Sequence, residues 1–200
     1  DCEGHIVIRS KGQNLLLDTG SPITFSQERF VQLIDRHAIK YREFQGVDCD
    51  TISGFIGVPV NTVVGMDVLA GLNLSINAGR REVTIGGRRP LGSDFSGDLE
   101  YLMGVPIVKL KVDGRDVRMI VDTAAKLSYL DSGILERYRQ VGTETDFYPG
   151  IGEFNSETYH VPIALGNHDQ IMTFGKLKGL LSILLDSFNA DGILGFELYK

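Results

Sequence analysis

The stretch LLLDTGSPIT, Leu15 to Thr24, runs three leucines into an aspartate and then into threonine, glycine, serine and proline. An apolar run that closes on Asp, Gly, Ser and Pro ordinarily reads as a strand ending in a loop. That reading does not explain why an acid follows directly on the buried end of the strand. The pattern returns at Ile120 as IVDTAAKLSYL, so the chain is first compared with itself.

Asp18 and Asp122 lie 104 residues apart. At that offset Leu17 matches Val121, Thr19 matches Thr123, Ile23 matches Leu127 and Phe25 matches Tyr129. Gly20 faces Ala124, and Ser21 faces Ala125. Upstream, GHIVIRSKGQN parallels GVPIVKLKVDGRD, each an alternating strand pair with a Gly turn. Downstream, SQERFVQLIDRHA parallels DSGILERYRQV, and the spacing of apolar residues predicts a helix in each. Further on, TVVGMDVL (Thr62–Leu69) parallels GILGFELY (Gly192–Tyr199). The aspartate-to-glycine gap is 47 residues in the first half and 73 in the second, so the second half carries 26 extra residues. They are expected as hairpin strands within residues 159–187. The turn-rich GGRRPLGSDFSGDLEYLMG reads as a connection between two lobes, residues 1–98 and 99–200. The class is mainly β.

Two copies of one lobe pack most simply about a pseudo-twofold axis, where equivalent loops meet. Asp18 and Asp122 would then face each other. Like charges a few ångströms apart do not both ionise easily, so one carboxyl keeps its proton and the other serves as a base. Such a pair can activate a water while protonating a carbonyl oxygen.

On these residues the chain resembles the aspartic proteases of pepsin and retropepsin type. The resemblance is carried by LLLDTGS (Leu15–Ser21), MIVDTAA (Met119–Ala125), VVG (Val63–Gly65) and ILG (Ile193–Gly195). It implies a single-chain acid-protease fold with two pseudo-twofold-related β lobes, one short helix in each, and a cleft between them. It implies that Asp18 and Asp122 hold a nucleophilic water and that Thr19 and Thr123 lock the two loops together. Gly20, which has no Cβ, would let a substrate backbone pass close. Ala124 departs from the family's glycine. Ser21 is expected to donate its hydroxyl to Asp18, making Asp18 the more readily ionised acid, since Ala125 cannot do the same for Asp122. FYPGIGEF (Phe147–Phe154) resembles the tip of the family's covering hairpin, which puts Gly150, Ile151 and Gly152 against substrate. EFQGVDCD (Glu43–Asp50) is its weaker counterpart. The expected partner is a peptide or protein substrate met by a monomer. The alternative is a pseudo-protease that binds peptides without cutting them.

Other signals are weaker. A net charge of −6 argues against nucleic acid as a partner. Arg80, Arg81, Arg88 and Arg89 read as a solvated basic turn. No apolar run approaches the roughly 20 residues that span a bilayer, so no membrane insertion is expected. GLLSILL (Gly179–Leu185) reads as a core strand or short helix. Cys2 and Cys49 form either one disulfide or two free thiols, and the compartment stays open. His5, His37, His160 and His168 are scattered and read as surface or loop residues. No metal and no cofactor are expected.

Overall fold

The computed structural model describes residues 4–86, 98–148, 151–177 and 179–199. The chain is mainly β, and it begins with β1 (Val7–Ser10) and β2 (Gln13–Leu17), joined by a Lys11-Gly12 turn with both φ angles positive. β3 (Phe25–Ser26), the hairpin β4 (Phe30–Gln32) with β5 (Arg36–Ala38), and the small hairpin β6 (Glu43–Phe44) with β7 (Val47–Asp48) follow. Then come α1 (Cys49–Ile56), β8 (Thr62–Val64), α2 (Met66–Leu69) and the hairpin of β9 (Leu74–Asn77) with β10 (Glu82–Ile85). β1, β2, β8 and β3 form a four-stranded sheet in that order. The β9–β10 hairpin is the one its alternating LNLSINAGRREVTI suggests.

The helix expected at SQERFVQLIDRHA is instead the β4–β5 hairpin, in which Val31 pairs with His37 and is fully buried. Its apolar residues suit a helix stripe and a hairpin face about equally. The longer helix of this half is α1. Asp48 caps it by accepting from the Thr51 N–H at 2.9 Å, and Gly57 closes it at φ 70°. Those end signals, DCDT and IGV, are the ones helices use.

The second half contains β11 (Glu100–Leu102), β12 (Val105–Val112), β13 (Arg115–Val121), β14 (Ser128–Leu130) and a one-turn α3 (Ser132–Leu135). β15 (Gln140–Tyr148) and β16 (Gly152–Leu165) then make a long hairpin, and β17 (His168–Lys176) returns along β16. α4 (Leu180–Phe188), β18 (Gly192–Leu194) and a 3-10 turn at Phe196–Tyr199 end the described chain. The eight strands form one sheet in the order β11-β12-β13-β18-β14-β17-β16-β15.

Two expectations change here. The helix expected over DSGILERYRQV shrinks to α3, because the chain turns into β15 at Gln140. The extra residues of this half supply α4 as well as hairpin strands, so one helix per half is too few. α4 buries Leu181 and Leu185, one turn apart on one face, against Ile107 and Ile193. Most of the connecting stretch between the halves lies outside the described residues. Its last part is β11, paired with β12.

Candidate active site

The first aspartate sits where β2 ends, and the reason is backbone accounting. β2 runs parallel to β8, and the Asp18 N–H continues that ladder by donating to the Val64 carbonyl at 3.0 Å. β13 runs parallel to β18 in the same way, and the Asp122 N–H donates to Leu194 O at 2.9 Å. Beyond each ladder the chain turns back under the glycine of VVG or ILG. Met66 N–H donates to Ser21 O at 2.8 Å, and Phe196 N–H donates to Ala125 O at 2.8 Å. Gly65 and Gly195 are required by this approach. A Cβ at Gly65 would lie 2.3 Å from Ile23 O, and one at Gly195 would lie 2.4 Å from Leu127 O.

The two loops are tied to each other by their threonines. Thr19 N–H donates to Thr123 Oγ1 at 3.1 Å, and Thr123 N–H donates to Thr19 Oγ1 at 3.0 Å. Each hydroxyl then donates onward across the junction. Thr19 Oγ1 gives to Val121 O at 2.5 Å, and Thr123 Oγ1 gives to Leu17 O at 2.6 Å. Both threonines are buried. Four buried polar groups therefore satisfy one another, which is the condition for burying them at low cost.

This brings Asp18 and Asp122 into one cavity of about 340 Å³. The Asp18 Oδ1 accepts from the Ser21 N–H at 2.9 Å. The Asp122 Oδ1 accepts from the N–H groups of Ala124 and Ala125 at 2.9 and 3.1 Å. These donors favour the ionised forms, but enclosure outweighs them. Burial holds Asp18 well above the usual carboxylate range, and the neighbouring Asp122 charge raises it further. Burial likewise pushes Asp122 up to about 6, against its two N–H donors, with the Asp146 charge adding to the rise. The pair takes up its protons as a unit.

Ser21 differs from expectation. Its hydroxyl donates to Ile23 O at 2.8 Å, within its own turn, and its contact with Asp18 is through the backbone N–H. The hydroxyl argument for making Asp18 the more readily ionised acid therefore fails. Gly20 is more constrained than a merely permissive position. A Cβ there would stand 2.4 Å from Asp122 Oδ2. Ala124, at the matching position, is packed, like Phe147, against the cluster that includes Leu16, Phe25 and Val47.

The hairpin β15–β16 crosses the cavity. Phe147, Tyr148, Glu153 and Phe154 line it. Ile151 sits in the turn, its N–H bonded to Tyr148 O, and Gly152, at φ 85°, opens β16; neither lines the cavity. Gly150 lies outside the described residues. The smaller hairpin β6–β7 contributes Phe44, Gln45 and Val47 to the lining. Successive residues of β15 point to opposite faces, and two of them tie the hairpin down on both sides. Asp146 Oδ2 accepts from the Tyr129 hydroxyl at 2.5 Å, while the Phe147 ring stacks on Phe55 of α1 with centroids 3.4 Å apart.

Tyr148 lines the cavity and Tyr199 lies behind it, against the Leu15 and Leu17 cluster. Burial, then the aspartate charge, raises both phenols, with Tyr199 pushed up to about 12. His5, read as a surface or loop residue, lies in the segment before β1, lines the cavity and bonds through Nδ1 to Ala124 O at 2.7 Å. Cys49 is a buried free thiol directed at Phe25 O, and burial pushes it up to about 11. Cys2 lies outside the described residues. Among the described residues no group of His, Cys, Asp and Glu is arranged to hold a metal ion, and no helix is long and apolar enough to cross a membrane.

No protein-family model matches the chain, and no curated protein matches it. Among solved structures it is similar to the crystal structure of the retroviral protease-like domain of Ddi1 from Leishmania major. That likeness has 15% identity and a TM-score of 0.30, covering 46% of this chain and 72% of that one. At that level the reading of the site rests on its own geometry.

Proposed function

We propose that the chain is an aspartic endopeptidase whose Asp18 and Asp122 activate a water for peptide hydrolysis. The observation that carries this reading is the reciprocal Thr19–Thr123 exchange, which holds both aspartate loops at the floor of one cavity. On this reading residues 1–98 and 99–200 are two related lobes, and substrate lies between them as an extended strand under the β15–β16 hairpin.

The chemistry follows from a pair that shares a proton. The ionised carboxyl takes a proton from water as its oxygen bonds to the scissile carbonyl carbon. The protonated carboxyl gives its proton to the carbonyl oxygen, so the tetrahedral intermediate is neutral. The carbon–nitrogen bond then breaks as the amine nitrogen takes the proton gained from the water. The hydroxyl of the intermediate returns the other proton, and the pair regains its starting state. The rigidity of the loops matters because an error near 1 Å in the placement of reacting groups costs on the order of a hundredfold in rate.

The test is substitution of each acid alone. Asp18→Asn and Asp122→Asn each keep size and shape but cannot both hold and exchange the proton. Each is expected to abolish cleavage of unstructured peptides while circular dichroism and melting stay those of a folded chain. Full activity in either purified variant overturns the reading.

A further inference from the structure

The walls of the cavity differ in chemistry. On the side built from β3, β6–β7 and α1 the lining is uncharged and mostly apolar: Phe25, Phe44, Val47, Ile52, Phe55 and Ile56, with Gln45 beside them. On the side built from β14, β15 and β16 it includes Asp146 and Glu153 beside Tyr129 and Phe154. Asp146 is half-buried, and no ion pair joins it to a Lys or Arg of the described residues. Its carboxylate is fixed from two directions, by the Tyr129 hydroxyl at 2.5 Å on Oδ2 and by the Phe147 N–H at 2.8 Å on Oδ1. Both neighbours are donors. Each oxygen keeps acceptor capacity for a further one.

The charges around the cavity are unequal. Asp18, Asp122, Asp146 and Glu153 face Lys126 and His5, and the His5 Nδ1 is already engaged with Ala124 O. A carboxylate enclosed this way gains most from a charge-assisted bond with a cation brought in from outside. A Lys or Arg side chain suits the surroundings, because its methylene stem can lie on the Phe154 ring, across the hairpin from Asp146, while its head reaches the acid.

We infer that Asp146 is a specificity-determining residue that selects peptides with a cationic side chain on one side of the reacting bond and an apolar one on the other. The inference rests on reading this cavity as a peptide cleft. Asp146 also ties the hairpin to β14, so the test must separate charge recognition from that tie.

The probes are peptides in which a hydroxyethylene group replaces the reacting bond, with Lys or norleucine on either side of it. Binding is measured by calorimetry, which does not require turnover. The expected result is that Lys binds at least tenfold tighter than norleucine on one side and more weakly on the other. Asp146→Asn is expected to bring the favoured ratio to within about threefold. Tyr129→Phe, which removes the tie and keeps the carboxylate, is expected to preserve the ratio even where both affinities fall. Norleucine preferred on both sides, or equal losses for Lys and norleucine in Asp146→Asn, overturns the inference while leaving the cleft reading intact. Failure of all four peptides to bind overturns both.

Discussion

Thr19 and Thr123 donate to each other in both directions, each through its N–H to the other's hydroxyl, and both sit in the interior. Thr→Val at either position keeps the shape and leaves the partner's N–H without an acceptor. A buried group left unsatisfied costs about 1–3 kcal/mol. Each single variant is therefore expected to lower stability by that amount. The double variant strands both N–H groups, so its cost should approach the sum of the two. Urea unfolding of the four proteins checks this. A double variant no less stable than either single one would show that the first change already parts the loops.

The raised carboxyls make both stability and rate depend on pH in a stated direction. Asp122 is held at about 6 against an ordinary value of 3.8, and Asp18 is raised as well. The native chain thus binds protons that the unfolded chain has already released. Stability from this source is full below the ordinary carboxylate value and is lost as pH rises through about 6. Between pH 4 and 7 the parent should lose stability relative to Asp122→Asn. A parent that gains on the variant over that range contradicts the assignment. For catalysis one acid must be ionised and the other protonated, so the acid limb of the kcat/KM profile is expected near 6. A profile that peaks near pH 3 and is flat by neutrality would show that the cavity does not hold the protons.

What the sequence discloses about this site is what local backbone demands. Asp18, Thr19, Gly65 and their counterparts stand out because each position tolerates few residue types, and the register of the two copies is set by short loops. Asp146, Tyr129 and the Phe55–Phe147 stack are invisible in it. Their meeting depends on how β15 pairs with β16 and on where the hairpin tip falls, which are long-range outcomes. The error at SQERFVQLIDRHA has another origin. Period alone does not separate a short helix from a two-strand hairpin, and the stronger end signals stood twenty residues on, at Asp48 and Gly57.

Ser21 offers a test of the corrected contact. Because its hydroxyl bonds Ile23 O and its backbone N–H serves Asp18, Ser21→Ala leaves the carboxylate's donor in place. The pH–rate profile is expected not to move. The lost turn bond should lower stability by about 1 kcal/mol. A shift of the acid limb by a full unit in Ser21→Ala would mean that the hydroxyl reaches the acid during turnover.

Ala124 and Gly20 occupy matching places, yet only one of them can hold a methyl group. At Gly20 a Cβ would press on Asp122 Oδ2 at 2.4 Å, and the group it meets is the reacting acid itself. Gly20→Ala is accordingly expected to displace Asp122 and remove most activity. Ala124 is packed, like Phe147, against the Leu16, Phe25 and Val47 cluster, on the apolar side of the cavity. There it borders a side-chain pocket. Ala124→Gly should therefore keep kcat/KM on a small apolar peptide within about threefold, since the reacting groups do not move. It should favour larger apolar side chains, which gain the vacated space, and lose about 1 kcal/mol of stability with the packing of one methyl. Kinetics on a peptide series graded from Val to Phe, with melting of both proteins alongside, separates the outcomes. A gain above tenfold on every peptide would show instead that the methyl obstructs the backbone of the substrate.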